Sequence, residues 1–428
     1  MEGVSDSAAV QPVASVQIKL FPSMSNIEVE QVERLQNQIL QTAAKWNRPL
    51  TDAARAAFRA MPRHAFVKRF RMGDKVVTVT PDNLLQLLPT IYNDGVLNLW
   101  KDQEKGLWST MSQPSLVLGM LSLMNLAEGH RVFELGAGSG WNAAMLGHIV
   151  GAKGHVTSVE IIPEMADAAR QAIAERGIEN VDIVTGDAGD GFAAGAPYDR
   201  AMFTAGSYDL PRAFHEQVRE GGLLLMVVKV EGGGDQLILL EKKAECFESI
   251  RGLLCAFVPM TGRHAFAGAH PIPIEALPRW PELAQREVDR RPFWWGASDK
   301  APFWAATGVR SFLSIAEPLF RVFRDDVRDP LDPQHWYCGL FDPEAHSLAV
   351  AKYGKLVSYG SVVARDRLLL RLHEWIDLGM PTMAAMHLRV FPADVEVRAE
   401  KNKWIVRRNE SIFVWSLQRP GEARSGAG

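Results

Sequence analysis

The sequence predicts an α/β protein whose main domain is a doubly wound, Rossmann-like sheet and whose smaller C-terminal domain is α+β. From Arg131 to Thr261, apolar strand-like runs alternate with helical segments, which is typical of a parallel sheet covered by helices on both faces. After about residue 265 the composition changes, because eight of the twelve tryptophans and 13 of the 24 prolines lie there. The strand-like runs are RVFELG, HVTSVE, VDIVTG, YDRAMFTA and GGLLLMVVK.

Three segments are predicted along the chain. Residues 1–25 are expected to form a flexible arm, residues 26–265 the doubly wound domain and residues 266–428 an accessory domain. Helical periodicity begins near Ile27. A second helix is predicted to begin after Thr51, a favourable N-cap residue, and to end before Pro62.

The accessory domain has a recognisable order of elements in its later part. The pattern predicts a hairpin that turns at Tyr353-Gly354, followed by a helix with Leu368 and Trp375 on one side. Closing strands are predicted around Trp404 and Trp415. This part is therefore expected to be a small α+β module.

Composition and charge exclude several classes of protein. With 47 basic and 50 acidic residues the formal charge is −3, which gives no electrostatic case for binding nucleic acid or an anionic membrane. No apolar stretch approaches the roughly 18 residues of a membrane span. Cys246, Cys255 and Cys338 have no metal-ligand spacing, and their odd number argues against a disulfide framework. We expect a cytoplasmic protein without a metal site, and the sequence leaves its oligomeric state open.

The strongest local signal is an apolar strand that runs directly into the glycine-rich turn Gly136-Ala137-Gly138-Ser139-Gly140. Glycines in such a turn adopt backbone angles closed to other residues and let a ligand approach the backbone. A dinucleotide pattern would require glycine at position 141, where the chain has Trp141. The turn therefore predicts a nucleotide-like ligand without a pyrophosphate.

Two acidic residues follow the next two predicted strands. Glu160 ends the second strand, where a carboxylate can accept hydrogen bonds from both hydroxyls of an adenosyl ribose. Asp187 follows the third strand, within reach of an adenine edge. The carboxyl ends of parallel strands converge on one crevice, so these positions together favour an adenosyl ligand. The alternative is that Glu134, Glu160 and Asp187 are only solvated strand ends or helix caps.

Several short motifs, in order over roughly residues 30 to 262, resemble the protein-L-isoaspartate O-methyltransferase family. The glycine-rich turn is shared with other methyltransferases, whereas TMSQP and FVPM are specific to this resemblance. The motifs are Pro62-Arg63-His64-Ala65-Phe66-Val67, Tyr92-Asn93-Asp94, Thr110-Met111-Ser112-Gln113-Pro114, Ala196-Pro197-Tyr198-Asp199-Arg200, Glu220-Gly221-Gly222 and Phe257-Val258-Pro259-Met260.

The resemblance implies a class I methyltransferase that uses S-adenosyl-L-methionine and releases S-adenosyl-L-homocysteine, with a peptide or protein bearing aspartate or isoaspartate as partner. It implies a catalytic role for Ser112 at the substrate carboxylate. The implied cofactor-binding residues are Glu134, Gly136, Ala137, Gly138, Ser139, Gly140, Glu160, Ile161, Asp187 and Ala188. The implied substrate-binding residues are Thr110, Met111, Gln113, Thr204 and Gly206.

Ser112 has a second interpretation. It precedes the apolar helical segment SQPSLVLGMLSLM and could be its N-cap, and one hydroxyl can serve only one of these roles fully. The chain also departs from the family pattern at Gly206-Ser207-Tyr208 and in the long turn 229–234. Both departures leave the preferred substrate open.

Residues 266–428 resemble the extension carried by methyltransferases of lanthipeptide, lasso-peptide and graspetide pathways. This implies esterification of one aspartate in a modified ribosomal peptide, giving aspartimide or isoaspartate. Repair of damaged proteins, methylation of another carboxylate or hydroxyl, and a non-catalytic binding module are the alternatives. Trp294, Trp295 and Trp304 are candidates for a peptide-binding aromatic surface or for a small packed core. The resemblance is carried by Gly339-Leu340-Phe341-Asp342, Tyr359-Gly360, Trp375, Gly379-Met380-Pro381 and Phe413-Val414-Trp415.

Overall fold

The computed structural model describes residues 24–45, 50–102, 107–232, 234–266, 271–293, 295, 303–325 and 336–417. Within these ranges the strands form three sheets, of four, ten and six strands. The predicted arm lies almost wholly outside the described residues. None of the helices in these ranges is both long and apolar enough to span a bilayer.

The first part of the chain forms a helical layer and a small antiparallel sheet of order β2-β1-β3-β4. Both predicted helices are confirmed: Ser25 caps the first, and the Thr51 hydroxyl accepts the Ala54 amide 3.2 Å away at the start of the second. The elements are α1 (Asn26–Ala44), α2 (Asp52–Ala60), β1 (Arg69–Met72), β2 (Lys75–Thr78), α3 (Pro81–Ile91), β3 (Leu97–Asp102), β4 (Leu107–Met111) and α4 (Pro114–Leu123).

The central part confirms the doubly wound α/β fold. Strands β7, β6, β5, β8 and β9 lie side by side and parallel, and β10 and β11 continue the sheet antiparallel. The elements are β5 (Arg131–Leu135), α5 (Trp141–Val150), β6 (His155–Glu160), α6 (Pro163–Ala174), β7 (Val181–Thr185), β8 (Tyr198–Ser207), α7 (Arg212–Gln217), β9 (Val218–Val228), β10 (Asp235–Lys242) and β11 (Phe247–Cys255).

Both faces of this sheet are buried, which explains the nearly continuous apolar runs of its strands. Neighbouring residues of one strand belong to different cores: Val132 packs with helices α5 and α6, whereas Phe133 packs with Phe214 of α7. The carboxyl ends of β5, β6, β7 and β8 therefore meet at one edge, between two rigid layers.

The C-terminal part contains a six-stranded sheet of order β12-β14-β15-β16-β17-β13, packed against α9 and α10. The hairpin at Tyr353-Gly354 is confirmed, and so is the helix that buries Leu368 and Trp375. The elements are β12 (Ile272–Pro273), α8 (Trp280–Ala284), β13 (Glu287–Pro292), α9 (Phe303–Ala316), β14 (Phe320–Arg324), β15 (Trp336–Asp342), β16 (Ser347–Lys352), β17 (Lys355–Tyr359), α10 (Val363–Asp377), β18 (Met386–Pro392), β19 (Lys403–Arg407) and β20 (Ser411–Leu417).

The last three strands join the central sheet rather than the C-terminal one. Strand β18 pairs antiparallel with β11, Phe247 opposite Val390, and the sheet continues through β20 to β19. Leu388, Phe413 and Trp415 share a core with Phe203 of the central part. Residues on the two sides of position 266 thus build one continuous sheet. In this sheet β18 covers the backbone edge that β11 would otherwise expose.

Candidate functional site

One cavity lies at the carboxyl edge of strands β5, β6 and β8 and encloses about 1010 Å³, including the part open to solvent. Thirteen of the sixteen predicted site residues line it. They are Thr110, Met111, Ser112, Glu134, Gly136, Ala137, Gly138, Ser139, Glu160, Ile161, Asp187, Ala188 and Thr204. Convergence of residues from distant parts of the chain is what a ligand site in an open α/β sheet requires.

The glycine-rich turn shapes the cavity floor. Gly136 and Gly138 have φ angles of 91° and 52°, in the region that favours glycine. The Thr204 hydroxyl lies 2.8 and 2.7 Å from the carbonyl oxygens of Leu135 and Gly136 and shares its hydrogen between them. A Cβ atom at Gly136 would lie 2.6 Å from that hydroxyl oxygen. Thr204 therefore fixes the turn to β8, and Gly136 leaves room for the close approach.

Three predicted site residues lie outside the cavity lining, each for a structural reason. Gly140 precedes α5, and a Cβ there would lie 3.3 Å from the Ala169 Cβ of α6, so it permits close helix packing. Gln113 binds Asp94 at 3.1 Å. Gly206 bonds through its backbone to Val258 and Met260, at 2.8 and 2.7 Å. Gly206 thus anchors the FVPM segment, which itself lines the cavity.

Glu160 is buried at the end of β6 with its carboxylate held by backbone amides. Its Oε2 atom accepts the Gly138 amide at 2.8 Å, and its Oε1 atom accepts the Ile162 amide at 3.0 Å. Burial raises the pKa of Glu160, although these hydrogen bonds oppose the rise. Each carboxylate oxygen can still accept a second hydrogen bond. Glu160 can therefore bind a diol while it holds the glycine turn in place.

Asp187 caps the short 3₁₀ turn that follows β7. Its Oδ1 atom accepts the Gly189 amide at 3.0 Å, and its Oδ2 atom accepts the Arg263 amide at 2.7 Å. Like Glu160, Asp187 both caps backbone amides and lines the cavity, so capping leaves the predicted role in cofactor binding open to it.

Glu134 is completely buried behind the glycine turn. Ser158 donates to its Oε2 atom at 2.5 Å and the Asn142 amide to its Oε1 atom at 2.7 Å. Burial raises the pKa of Glu134 to about 7, against the effect of these two hydrogen bonds. Asn142 also lines the cavity, and its buried Oδ1 atom has no hydrogen-bond partner among the residues that the structure describes.

Ser112 leaves strand β4 at the mouth of the cavity and is half-buried. The N-cap interpretation of Ser112 is wrong, since α4 begins at Pro114 with Gln113 as its cap position. The free donors at this helix end bind Asp94, which accepts the Ser115 amide at 2.9 Å and the Ser115 hydroxyl at 2.7 Å. Among the described residues the Ser112 hydroxyl makes no hydrogen bond, so it is free to bind a substrate.

A buried arginine supports this segment from behind. Arg63 is fully buried, and its Nη2 atom donates to the carbonyl oxygens of Met111 and Gly95, both at 3.2 Å. Burial lowers the pKa of Arg63 to about 10. The Met111 side chain is buried and its sulfur lies 3.1 Å from Arg63 Nε. Arg63 therefore holds the backbone from which Thr110 and Ser112 reach the cavity.

Sequence reasoning missed several residues of the lining. Asn142 could have been predicted, because a polar residue early in the helix after a glycine turn faces the ligand that the turn binds. Most of the other missed residues are apolar, and nothing in the sequence marks which apolar residues surround a ligand. The missed residues include Leu107, Trp108, Ser109, Val117, Met120, Trp141, Asn142, Ile162, Ala205 and Thr261.

The predicted aromatic surface is only partly within the described residues. Trp295 packs edge-to-face on Phe293 and lies near Phe320, with ring centroids 5.2 and 6.5 Å apart. Trp294 and the side chain of Trp304 lie outside the described residues. The described residues also contain no group of three or more His, Cys, Asp or Glu side chains able to hold a metal ion.

The residues present fit an adenosyl ligand. They are a glycine turn without a pyrophosphate pattern after the first strand of the motif, a buried acid at the end of the second strand and another acid after the third strand. The fold and this site define an S-adenosylmethionine-dependent class I methyltransferase.

Comparison with known proteins identifies the family. The model of the family described as Protein-L-isoaspartate(D-aspartate) O-methyltransferase (PCMT) matches residues 34–265, so the chain belongs to this family. The protein-L-isoaspartate O-methyltransferase of Ignicoccus hospitalis is 30% identical over 213 residues, which cover 49% of this chain and 98% of the relative. The enzyme of the same name from Methanococcus maripaludis is 39% identical over 207 residues, covering 47% and 93%.

A solved structure of a protein-L-isoaspartate O-methyltransferase aligns with 83% of this chain and 96% of its own, at 21% identity and a TM-score of 0.49. The family match ends at residue 265, so the six-stranded sheet and strands β18 to β20 lie beyond it.

Proposed function

We propose that this protein is a carboxyl O-methyltransferase that esterifies a specific aspartate of a ribosomally made, modified peptide, leading to aspartimide or isoaspartate. The observation that carries the proposal is the Ser112 hydroxyl, which Asp94 frees from helix capping and which opens into the cavity beside the glycine turn.

The cofactor would be held by the glycine turn, Glu160 and Asp187. When bound, S-adenosylmethionine supplies an electrophilic methyl group and leaves as S-adenosylhomocysteine. The acceptor carboxylate is already an anion at neutral pH, so the reaction needs no general base from the protein. Ser112 would donate a hydrogen bond to one carboxylate oxygen and leave the other facing the methyl group. Apolar neighbours such as Val117 and Met120 exclude water, and alignment contributes about 7 to 11 kcal/mol in ideal cases.

The ester activates the substrate for a second step outside the transferase reaction. The amide nitrogen of the following residue attacks the ester carbonyl, a C–N bond forms, and methoxide leaves with the amide proton as methanol. Water then opens the resulting five-membered aspartimide to aspartate or isoaspartate. The same transfer serves tailoring or repair, depending on which carboxylate is bound.

We further propose that residues 266–428 form an accessory domain that recognises the peptide. Two features support this. The extension lies beyond the family match, and its strands β18 to β20 continue the catalytic sheet, which fixes the position of these strands relative to the site. A fixed extra surface suits one constrained peptide, whereas an enzyme that accepts many damaged sequences gains little from it.

The second candidate function is repair of isoaspartyl residues in damaged proteins, which the names of the relatives favour. One assay separates the two. Labelled cofactor is offered with an isoaspartyl test peptide and, separately, with candidate modified precursor peptides. Efficient methylation of diverse isoaspartyl peptides contradicts the tailoring function. Loss of one water in mass from a single precursor aspartate supports it.

A further inference from the structure

Residues 260–266, which we call the strap, cross the Asp187 side of the cavity. Met260 and Thr261 line the cavity, and the Arg263 amide donates to Asp187 Oδ2 at 2.7 Å. A Cβ atom at Gly262 would overlap that oxygen, so the chain passes in direct contact with the carboxylate. The position of the Asp187 carboxylate therefore depends on where the strap lies.

His264 anchors the strap between two carboxylates. Its Nε2 atom lies 3.0 Å from Asp190 Oδ1, and its Nδ1 atom lies 2.6 Å from Glu410 Oε1. A Cβ atom at Gly189 would overlap the imidazole ring, so the ring presses directly on the 3₁₀ turn after Asp187. Only the imidazolium form can donate to both carboxylates at once, since neutral imidazole has a single N–H.

Glu410 comes from the extension, in the turn between β19 and β20, and it is itself held firmly. Its amide donates to Asp209 Oδ2 at 2.8 Å, and its Oε2 atom accepts the Arg212 amide at 3.0 Å. The next residue, Ser411, donates its hydroxyl to the Leu210 carbonyl oxygen at 2.5 Å. The turn is thus fastened to the segment that follows β8, and Glu410 points from it toward His264.

We propose that Glu410 and His264 are positioning residues that hold the strap against Asp187 and so complete one end of the cofactor site. The inference rests on the proposed function, which places the adenosine beside Asp187. It makes the C-terminal extension a contributor to cofactor binding, besides any contact with substrate.

The charges around His264 predict how this pair responds to pH. Burial lowers the pKa of His264, but its hydrogen bonds to Asp190 and Glu410 outweigh burial and raise the pKa above the usual value. The other charged groups facing it are Asp187 and Arg263, with Arg212, Arg408 and Asp209 behind Glu410. Since the doubly bonded form is protonated, cofactor affinity should fall as pH rises through this pKa.

The test measures binding of S-adenosylhomocysteine to the full-length protein by calorimetry. Glu410→Gln and His264→Gln should each weaken binding about tenfold. The matched control is Glu396→Gln, whose carboxylate lies in the same region with its side chain 83% exposed, and it should bind like wild type. At saturating cofactor, kcat should stay near wild type, because neither residue contacts Ser112 and the defect lies in affinity.

A pH series separates positioning from general stability. Wild-type affinity should fall as pH rises, whereas His264→Gln should lose this dependence, and this readout stands if Glu410→Gln fails to fold. If wild type binds S-adenosylhomocysteine and both variants bind equally tightly, the inference is overturned while the proposed function stands. If wild type itself binds none, the proposed function fails and the inference with it.

Discussion

The two acids of the proposed cofactor site are held in different ways. Glu160 binds the amides of Gly138 and Ile162, which lie within 22 residues of it along the chain. Asp187 binds the amide of Arg263, 76 residues away, and that strap is fastened to Glu410 of the extension. One wall of the cavity is therefore a local product of the strand-turn-helix motif, whereas the other depends on distant segments. Substitutions or deletions in the extension should consequently weaken cofactor binding at the proposed site.

Deletion of residues 266–428 is the most severe test of this difference, because it removes all the distant support that the extension gives. It removes β18 from the edge of β11 and strips Leu388, Phe413 and Trp415 from the second core. An exposed strand edge and an uncovered apolar face favour aggregation, so we expect little soluble, cooperatively folded protein. Soluble yield and circular dichroism measure this. A fragment 26–265 that folds and binds S-adenosylhomocysteine would instead support two independent domains.

Ser112→Ala tests the part of the cavity where the acceptor carboxylate would bind. Loss of the hydrogen bond that orients the acceptor carboxylate toward the methyl group should lower kcat roughly a hundredfold, with unchanged affinity for S-adenosylhomocysteine. Asp94→Ala serves as the comparison, because it removes the helix cap and should lower the free energy of unfolding by about 1 kcal/mol. Wild-type turnover in the Ser112 variant would remove this residue from the proposed site.

Substitution of Glu134 tests whether the pKa of its buried carboxyl group is raised in the folded protein. Its folded pKa of about 7 lies above the usual 4.5, so between these values the folded state binds more protons and stability falls as pH rises. From about pH 5 to about pH 8, wild type should lose on the order of 3 kcal/mol more unfolding free energy than Glu134→Gln. Urea denaturation at both pH values measures the difference. Parallel pH dependence in the two proteins would contradict the assignment.

Gly136→Ala should have a smaller effect, and we expect it to lower the affinity for the cofactor. The Cβ atom would face the Thr204 hydroxyl 2.6 Å away at a φ of 91°, so the turn should shift to relieve the strain. Restoring the turn when the cofactor binds should then cost about 2 kcal/mol, or roughly thirtyfold in cofactor affinity. Gly177→Ala is a matched control, with a φ of 60° and open space around its Cβ. It should lower stability slightly and leave cofactor affinity unchanged; equal losses of affinity in the two variants would indicate a general effect.

Local patterns predicted much of the fold. The five runs from RVFELG to GGLLLMVVK became strands β5 to β9, because strands buried on both faces are almost uniformly apolar. The pairing of β11 with β18 was not predictable, since 130 or more residues separate them and edge pairing leaves no short motif. The same distance effect hid Arg63, whose role depends on where Met111 lies in space.

The sequence by itself determined the class of ligand and most of the residues that line the cavity, because the glycine turn, the acid after each of the next two strands and the TMSQP motif can each be recognised in a short local segment. Only the tertiary structure decided which group caps α4, and so released Ser112, and which distant amide fixes Asp187. The physical reason is range: backbone conformation is set by neighbours in the chain, whereas hydrogen-bond partners are set by neighbours in space.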